Sequence, residues 1–269
     1  MSFMRSFIRP LMPICAIELR HAYLRSRRLG YGKKSALCAA FSPALRAAIE
    51  TSRIAYLPES LRCGLGTVVD VGANEGQWIA ALLAATSVKR VEAFEPNPEA
   101  AARLREILKG RPECRVTQAA VGNSQGEMPL NITANSVFSS LLEPQQTLQT
   151  DYSSGAIVQQ SIMVPVTTLD VALASLDSID LLKIDVQGFE KQVLDGAEQL
   201  MQRTKTVLIE TNLVSQYVGD QNLWELHRRL TEEFAFEVWN LSPISYGAHG
   251  RAMWCDAVFI NPRLSGDPS

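Results

Sequence analysis

The run Thr67-Val68-Val69-Asp70-Val71-Gly72-Ala73-Asn74-Glu75-Gly76 sets a carboxylate and two glycines at the end of an apolar strand, and Glu95 closes the next apolar run 25 positions after Asp70. A strand, a tight turn and a helix leave unpaired backbone N–H groups at a crevice, and a carboxylate one strand away can grip a ribose diol. The chemistry expected is the holding of a nucleoside-containing cofactor. Dinucleotide folds approach a pyrophosphate with G-x-G-x-x-G, whereas the pattern here is Asp70-x-Gly72-x-x-x-Gly76, and Asp70 would repel a phosphate. A cationic ligand without phosphates suits the site, and S-adenosylmethionine (SAM), with its sulfonium and amino groups, meets that description. Alone, the glycines make no more than a strand–helix turn; Glu95 at this spacing is what points to function.

The second informative run is Leu182-Lys183-Ile184-Asp185-Val186-Gln187-Gly188-Phe189-Glu190. A strand ending in Lys183 and Asp185 places charge at the carboxyl edge, where open α/β sheets keep their active crevice. Unpaired buried charge is costly, so the bland alternative is a structural ion pair between them or with Glu190, an early-turn acid of the next helix. Val207-Leu208-Ile209 likewise ends in Glu210, so Asp185 and Glu210 are expected at neighbouring strand ends facing one crevice. Two carboxylates there can share a proton, bind a divalent cation or hold a sugar. His249 lies in the loop from Ser242 to Arg251, where an imidazole can reach a bound acceptor or simply stay solvated. His21 and His227 are poorer candidates, one in a basic arm and one beside Arg228 and Arg229 on a helix. Ser136, Ser139 and Ser140 either offer hydroxyls to an acceptor or cap turns. Trp78, Trp224, Trp239 and Trp254 can stack on a sugar or a sulfonium, with core packing the plainer role.

These residues need a frame. From Thr67 onwards strands 67–71, 90–95 and 114–121 alternate with helices 76–85 and 98–109, which predicts βαβ crossovers and a parallel sheet. Between about Asn123 and Val166 the helical period disappears, and residues 123–166 are expected to form a β-rich, substrate-side insertion. The parallel pattern resumes with a strand at 180–185, helix 189–202, strand 206–210 and helix 221–233. Two final strands, 235–241 and 254–261, have too short a connection for a helical crossover and should pair antiparallel.

A chain of 269 residues can bury one large α/β core, expected over residues 61–263, with residues 1–60 as a helical extension. Net charge is −2 overall but lopsided: residues 1–53 carry +8 and the remainder −10. Such an arm can touch an anionic membrane, an acidic glycolipid or the acidic domain itself. Its apolar stretch, Leu11 to Ile17, is short, broken by Pro13 and followed by Glu18 and Arg20, so it does not read as a secretion signal, and no segment is long enough to span a bilayer. A cytoplasmic protein is expected. Five scattered cysteines without a C-x-x-C pair read as reduced packing residues.

In its motifs the chain resembles the FkbM family of SAM-dependent methyltransferases. The blocks that carry the resemblance are Asp70 to Gly76, Phe94-Glu95-Pro96-Asn97, Ala120-Val121-Gly122 with Gly126, Ser136-Val137-Phe138-Ser139-Ser140-Leu141, Val166-Thr167-Thr168-Leu169-Asp170, and Asp180 to Glu190. They span roughly residues 65–260; Gln187 departs from the glutamate often found in the family. The resemblance implies a Rossmann-like seven-stranded class I methyltransferase sheet with an antiparallel last strand, and methyl transfer from SAM to a hydroxyl, commonly of a sugar or polyketide. It also implies that the turn Gly72 to Gly76, including Asn74, passes under the methionine part, that Glu95 holds the ribose, and that Asn97 and Val121 border the adenine. An aliphatic hydroxyl is a weak nucleophile and wants a base or a metal. Asp185 is the first candidate, Glu210 its orienter or co-ligand, and His249 the second candidate; Ser136, Ser139, Ser140, Lys183 and Glu190 are placed on the acceptor side.

Two rival classes remain open at this level. One is a SAM- or nucleoside-binding module without turnover that recruits a partner through the basic arm; the other is an NAD-dependent oxidoreductase, disfavoured by Asp70 and the absent third glycine. Nucleic acid is a poor partner for an acidic domain without a basic aromatic stripe.

Overall fold

The computed structural model describes residues 56–58, 61, 64–247 and 250–265. The chain divides into a unit of residues 1–56 and one of residues 57–269, and the second carries the fold that follows. The expected extension, with His21, and the loop candidate His249 lie outside the described residues.

Strands β1 (Leu65–Val71), β2 (Val88–Phe94) and β3 (Cys114–Thr117) alternate with helices α1 (Gln77–Ala85) and α2 (Pro98–Ile107). After the insertion come α4 (Leu169–Ala172), β7 (Ile179–Ile184), α5 (Glu190–Asp195), α6 (Glu198–Met201), β8 (Thr204–Asn212) and α7 (Leu223–Arg228), the last continuing as a π-helical turn, Arg229–Glu233. Strands β9 (Glu237–Leu241), β10 (Ser245–Tyr246) and β11 (Ala252–Ile260) complete the sheet. Its order is β10-β11-β8-β7-β1-β2-β3, with β9 also paired to β11. Pairs from β3 to β8 are parallel, and β11 runs antiparallel to β8 and to β9.

The central strands are nearly continuous apolar runs because both faces are covered. Side chains alternate: Val69, Val71, Leu182 and Ile184 join one cluster with Val193 and Leu194 of α5, Leu200 of α6 and Leu226 of α7. Asp70 and Lys183, register partners on β1 and β7, point to the other face.

Four expectations are corrected. Among the described residues the main sheet has eight strands rather than seven, because Ser245 and Tyr246 within the last loop pair briefly with β11. The third strand is two: β3 stays in the main sheet, while β4 (Ala120–Val121) joins a second sheet of order β4-β6-β5 with β5 (Gly126–Thr133) and β6 (Val158–Thr167). Helix 189–202 breaks at Gly196, where a Cβ would lie 2.0 Å from the Gly122 carbonyl oxygen, and Asp170 accepts the N–H groups of Gln199 and Leu200 at the new start. The insertion also contains a helix, α3 (Gln146–Tyr152), hidden in the sequence because its polar run shows a single buried leucine, Leu148.

Gly72, at φ +81°, is the position that sets the floor of the crevice. A Cβ there would stand 1.9 Å from the Asp185 carbonyl oxygen, so β1 and β7 can close at their ends only without one. Gly110 has φ +79° with open space around it. Gly72→Ala is therefore expected to cost about 3 kcal/mol or more in urea unfolding and Gly110→Ala about 1 kcal/mol; equal losses would show that only the dihedral matters.

Candidate active site

The turn after β1 is tied on both sides. Gly72 and Ala73 donate their N–H groups to the Phe94 carbonyl of β2, and Asp185 donates its N–H to the Val71 carbonyl, each at 3.0 Å. Asn74 takes a left-handed conformation, φ 49°, which turns its N–H onto Glu95. Glu95 Oε2 accepts from Asn74 N and Oε1 from Asn97 N, both at 2.8 Å. Burial pushes the Glu95 carboxyl up to about 7, and the two backbone N–H groups only partly offset this.

Lys183 occupies the centre. Its Nζ lies 3.1 Å from Asp70 Oδ1 and 3.2 Å from Asp185 Oδ2, and 5.7 Å from the centre of the Trp78 ring. Burial opposes the ammonium, but the charges of Asp185 and Asp70 outweigh it and hold Lys183 protonated well above its usual range. Asp70 is fully buried, which raises its carboxyl despite Lys183, and its Oδ2 has no hydrogen-bond partner among the described residues. Asp185 is partly exposed at the end of β7. Its Oδ1 accepts from Gln187 Nε2 at 2.8 Å, and the same nitrogen donates to Glu210 Oε1 at 3.0 Å. Desolvation, then the charges of Asp185, Asp256 and Glu190, push Glu210 well above the usual carboxylate range.

The turn after β1, Glu95, Asp185 and Gln187 border one cleft of about 690 Å³, counting the part open to solvent, while Asp70, Lys183 and Glu210 stand behind its lining. Gly72, Asn74 and Glu95 line one end, Phe94, Val121 and Phe189 give it an apolar wall, and Asp185 and Gln187 stand opposite. The insertion roofs it: Ser136, Ser139 and Ser140 line the cleft, and Ser136 Oγ reaches Asn74 Oδ1 at 3.3 Å. Ser139 Oγ accepts from Thr133 N at 3.2 Å, and Ser140 Oγ donates to the Gln187 carbonyl at 2.7 Å, so both also hold the roof in place.

Other candidates sit outside the cleft wall. Asn97 caps α2 through Glu99 N, and Gly76, at φ +85°, packs against Leu104. Lys183 is the internal counter-ion rather than an acceptor-side group. Glu190 is buried and accepts from Val186 N at 3.1 Å and Gly188 N at 3.2 Å, which ties the turn between β7 and α5; burial raises its carboxyl to about 7. Trp78 packs in the interior, and Trp224 is 69% exposed. In the sequence Gln187 stood out only as a departure from the family's glutamate, and Tyr217, whose hydroxyl bonds the Gln187 amide at 3.0 Å, went unnoticed. Asp256, which faces Glu210 across the β8–β11 pairing, was missed as well; strand alternation was its only signal. Among the described residues, no three His, Cys, Asp or Glu side chains gather to hold a metal ion, no helix is long and apolar enough to cross a membrane, and Cys114 and Cys255 are free thiols.

The family model described as the methyltransferase FkbM domain matches residues 70–238. The chain is similar to the 2-O-methyltransferase NoeI of Sinorhizobium fredii, 28% identical over 167 residues, covering 59% of this chain and 65% of that protein. It is also similar to the crystal structure of methyltransferase FkbM from Methylobacillus flagellatus KT, with TM-score 0.52 and 17% identity, covering 77% of this chain. The match spans only 47% of the length of that structure's chain.

The buried ion pair gives a direct test. Lys183→Met leaves Asp70 without its counter-charge and is expected to cost about 3–5 kcal/mol at pH 7. The loss should shrink as pH falls toward 5, because the stranded carboxyl can then fold protonated. Unfolding curves with a pH-independent loss would remove Lys183 from that role.

Proposed function

We propose that this chain, which belongs to the FkbM methyltransferase family, binds SAM in the cleft and transfers its methyl group to a hydroxyl of a carbohydrate, glycolipid or polyketide-like acceptor. The observation that carries the reading is that Glu95 and Asp185 line one cleft from opposite sides of the Gly72 turn. The name of the Sinorhizobium relative, a 2-O-methyltransferase, supports an oxygen acceptor.

The residues fit this cofactor. Each Glu95 oxygen has one backbone N–H bond and retains a lone pair for a ribose hydroxyl. Phe94, Val121 and Phe189 offer an apolar wall for an adenine, and the surplus of carboxylates over Lys183 favours a cation. When bound, SAM supplies a methyl group already activated by its sulfonium. The protein's part is then alignment, exclusion of water and removal of one proton. Asp185 takes that proton from the acceptor hydroxyl, with Glu210 beyond Gln187 as its partner. The roof, through Ser136, Ser139 and Ser140, shields the cleft and borders the acceptor. We assign catalysis to residues 61–263 of a cytoplasmic protein, with residues 1–60 as a basic extension suited to peripheral contact with an anionic surface.

Calorimetry with SAM, followed by a methyl-release assay over a glycan panel, tests the reading: no SAM binding overturns it, and binding without turnover on any acceptor favours a recruitment module. Ribose hydroxyls donate to the ionised Glu95, so a carboxyl that titrates near 7 in the free protein makes SAM bind more tightly as pH rises from 6 to 7.5. Glu95→Gln should weaken SAM by about 1–3 kcal/mol and flatten that slope; a slope that survives assigns the proton elsewhere. Asp185→Asn should reduce turnover by about 100-fold or more with little change in SAM affinity, and full activity would sink the base assignment.

A further inference from the structure

Gln187 sits in the cleft wall on a backbone held at φ 58°, followed by Gly188 at φ 97°. A left-handed conformation at a residue other than glycine persists when its surroundings over-determine it. They do so here. Both amide hydrogens go to carboxylates, Asp185 Oδ1 at 2.8 Å and Glu210 Oε1 at 3.0 Å. The amide oxygen lies 3.0 Å from the Tyr217 hydroxyl, and the backbone carbonyl accepts from Ser140 Oγ at 2.7 Å. A flipped amide would set its oxygen against two carboxylates, so one orientation survives.

Asp185 is thereby held on both oxygens, by Lys183 at 3.2 Å and by Gln187. The far end of the linkage is equally fixed. Tyr217 packs so closely on Gly188 that a Cβ there would come within 2.9 Å of the ring, and Asp220 accepts the Gln216 and Tyr217 N–H groups. Residues 143–145 of the insertion bond to this loop through Gln145 N to the Gln216 carbonyl, 2.8 Å, and Val218 N to the Glu143 carbonyl, 2.9 Å.

We propose that Gln187 is a positioning residue for methyl transfer: its amide fixes the Asp185 carboxylate in the orientation that receives the acceptor's proton and ties that carboxylate to the roof over the cleft. The inference rests on Asp185 as the base. A neutral amide suits the place because charge already surrounds it: Lys183 and Asp70 on one side, Glu210 with Asp256 behind it on the other, and Glu190 below.

The test uses the full chain labelled with ¹³C-aspartate, the Asp185 carboxyl signal being assigned from its loss in Asp185→Asn. Removing a hydrogen-bond donor from a carboxylate changes the shielding of its carbon, so the Asp185 carboxyl signal at fixed pH should move in Gln187→Met and in Gln187→Asn. Asn tolerates the left-handed backbone, so this variant decides the matter where the Met variant does not fold. SAM affinity by calorimetry should stay within about threefold, while kcat on the acceptor found in the glycan screen falls at least about tenfold with a smaller change in KM. An Asp185 carboxyl signal unmoved in the folded variants overturns the inference, as does a loss confined to KM. Failure of the wild-type protein to bind SAM would overturn the proposed function, while the carboxyl signal would still judge the clamp.

Discussion

The structure depends on one buried ammonium. Strands β1 and β7 lie side by side, and each brings a carboxylate to the same end: Asp70 within the sheet and Asp185 at its rim. Without a cation between them, the two would repel each other in a place water hardly reaches. Lys183, Asp70's register partner, bonds to both and rests against the Trp78 ring. At a desolvation cost, the pair ties together the strand ends from which the two turns bordering the cleft leave. Gly72 completes the constraint by letting one turn approach the carbonyl of Asp185.

From this centre the cleft divides into two chemical ends. On the β2 side, Glu95 is a desolvated carboxyl bonded to two backbone N–H groups, and burial raises it to about 7. On the β8 side, Glu210 is pushed upward by burial and by neighbouring carboxylates, whereas Asp185 has a cation on one oxygen and an amide on the other. Similar side chains thus acquire different electrostatic characters from their surroundings, and the proposed division between cofactor holding and proton handling rests on that difference. The insertion adds a roof whose serines touch both ends, Ser136 at Asn74 and Ser140 at Gln187.

Much of the frame was legible in the chain. Apolar runs followed by Asp70, Glu95, Asp185 and Glu210 marked the carboxyl-terminal parts of four strands, because parallel central strands are buried on both faces and read as nearly continuous apolar stretches. The short link between the last two strands announced their antiparallel pairing, which β9 and β11 show. Less visible were elements without a period of their own: two-residue β10 and polar helix α3, both stabilised by the strands and loops they rest on. Gly196 and Asp170 split a continuous helical pattern because a distant carbonyl, that of Gly122, passes too close for a side chain.

By itself, the sequence determined the α/β class, the family and the carboxylates at the strand ends, since these follow from local apolar runs, turn residues and spacing. Only the tertiary structure decided their division of labour. Lys183 and Glu190 looked like acceptor-side groups but became internal partners of the scaffold, because the register of β7 against β1 and the turn after β7 direct them inward. Gln187 and Tyr217, 30 residues apart and inconspicuous in the chain, meet beside Asp185 because the insertion and the loop after β8 close over the same strand end. Such contacts join segments far apart in sequence, and no local pattern can encode them.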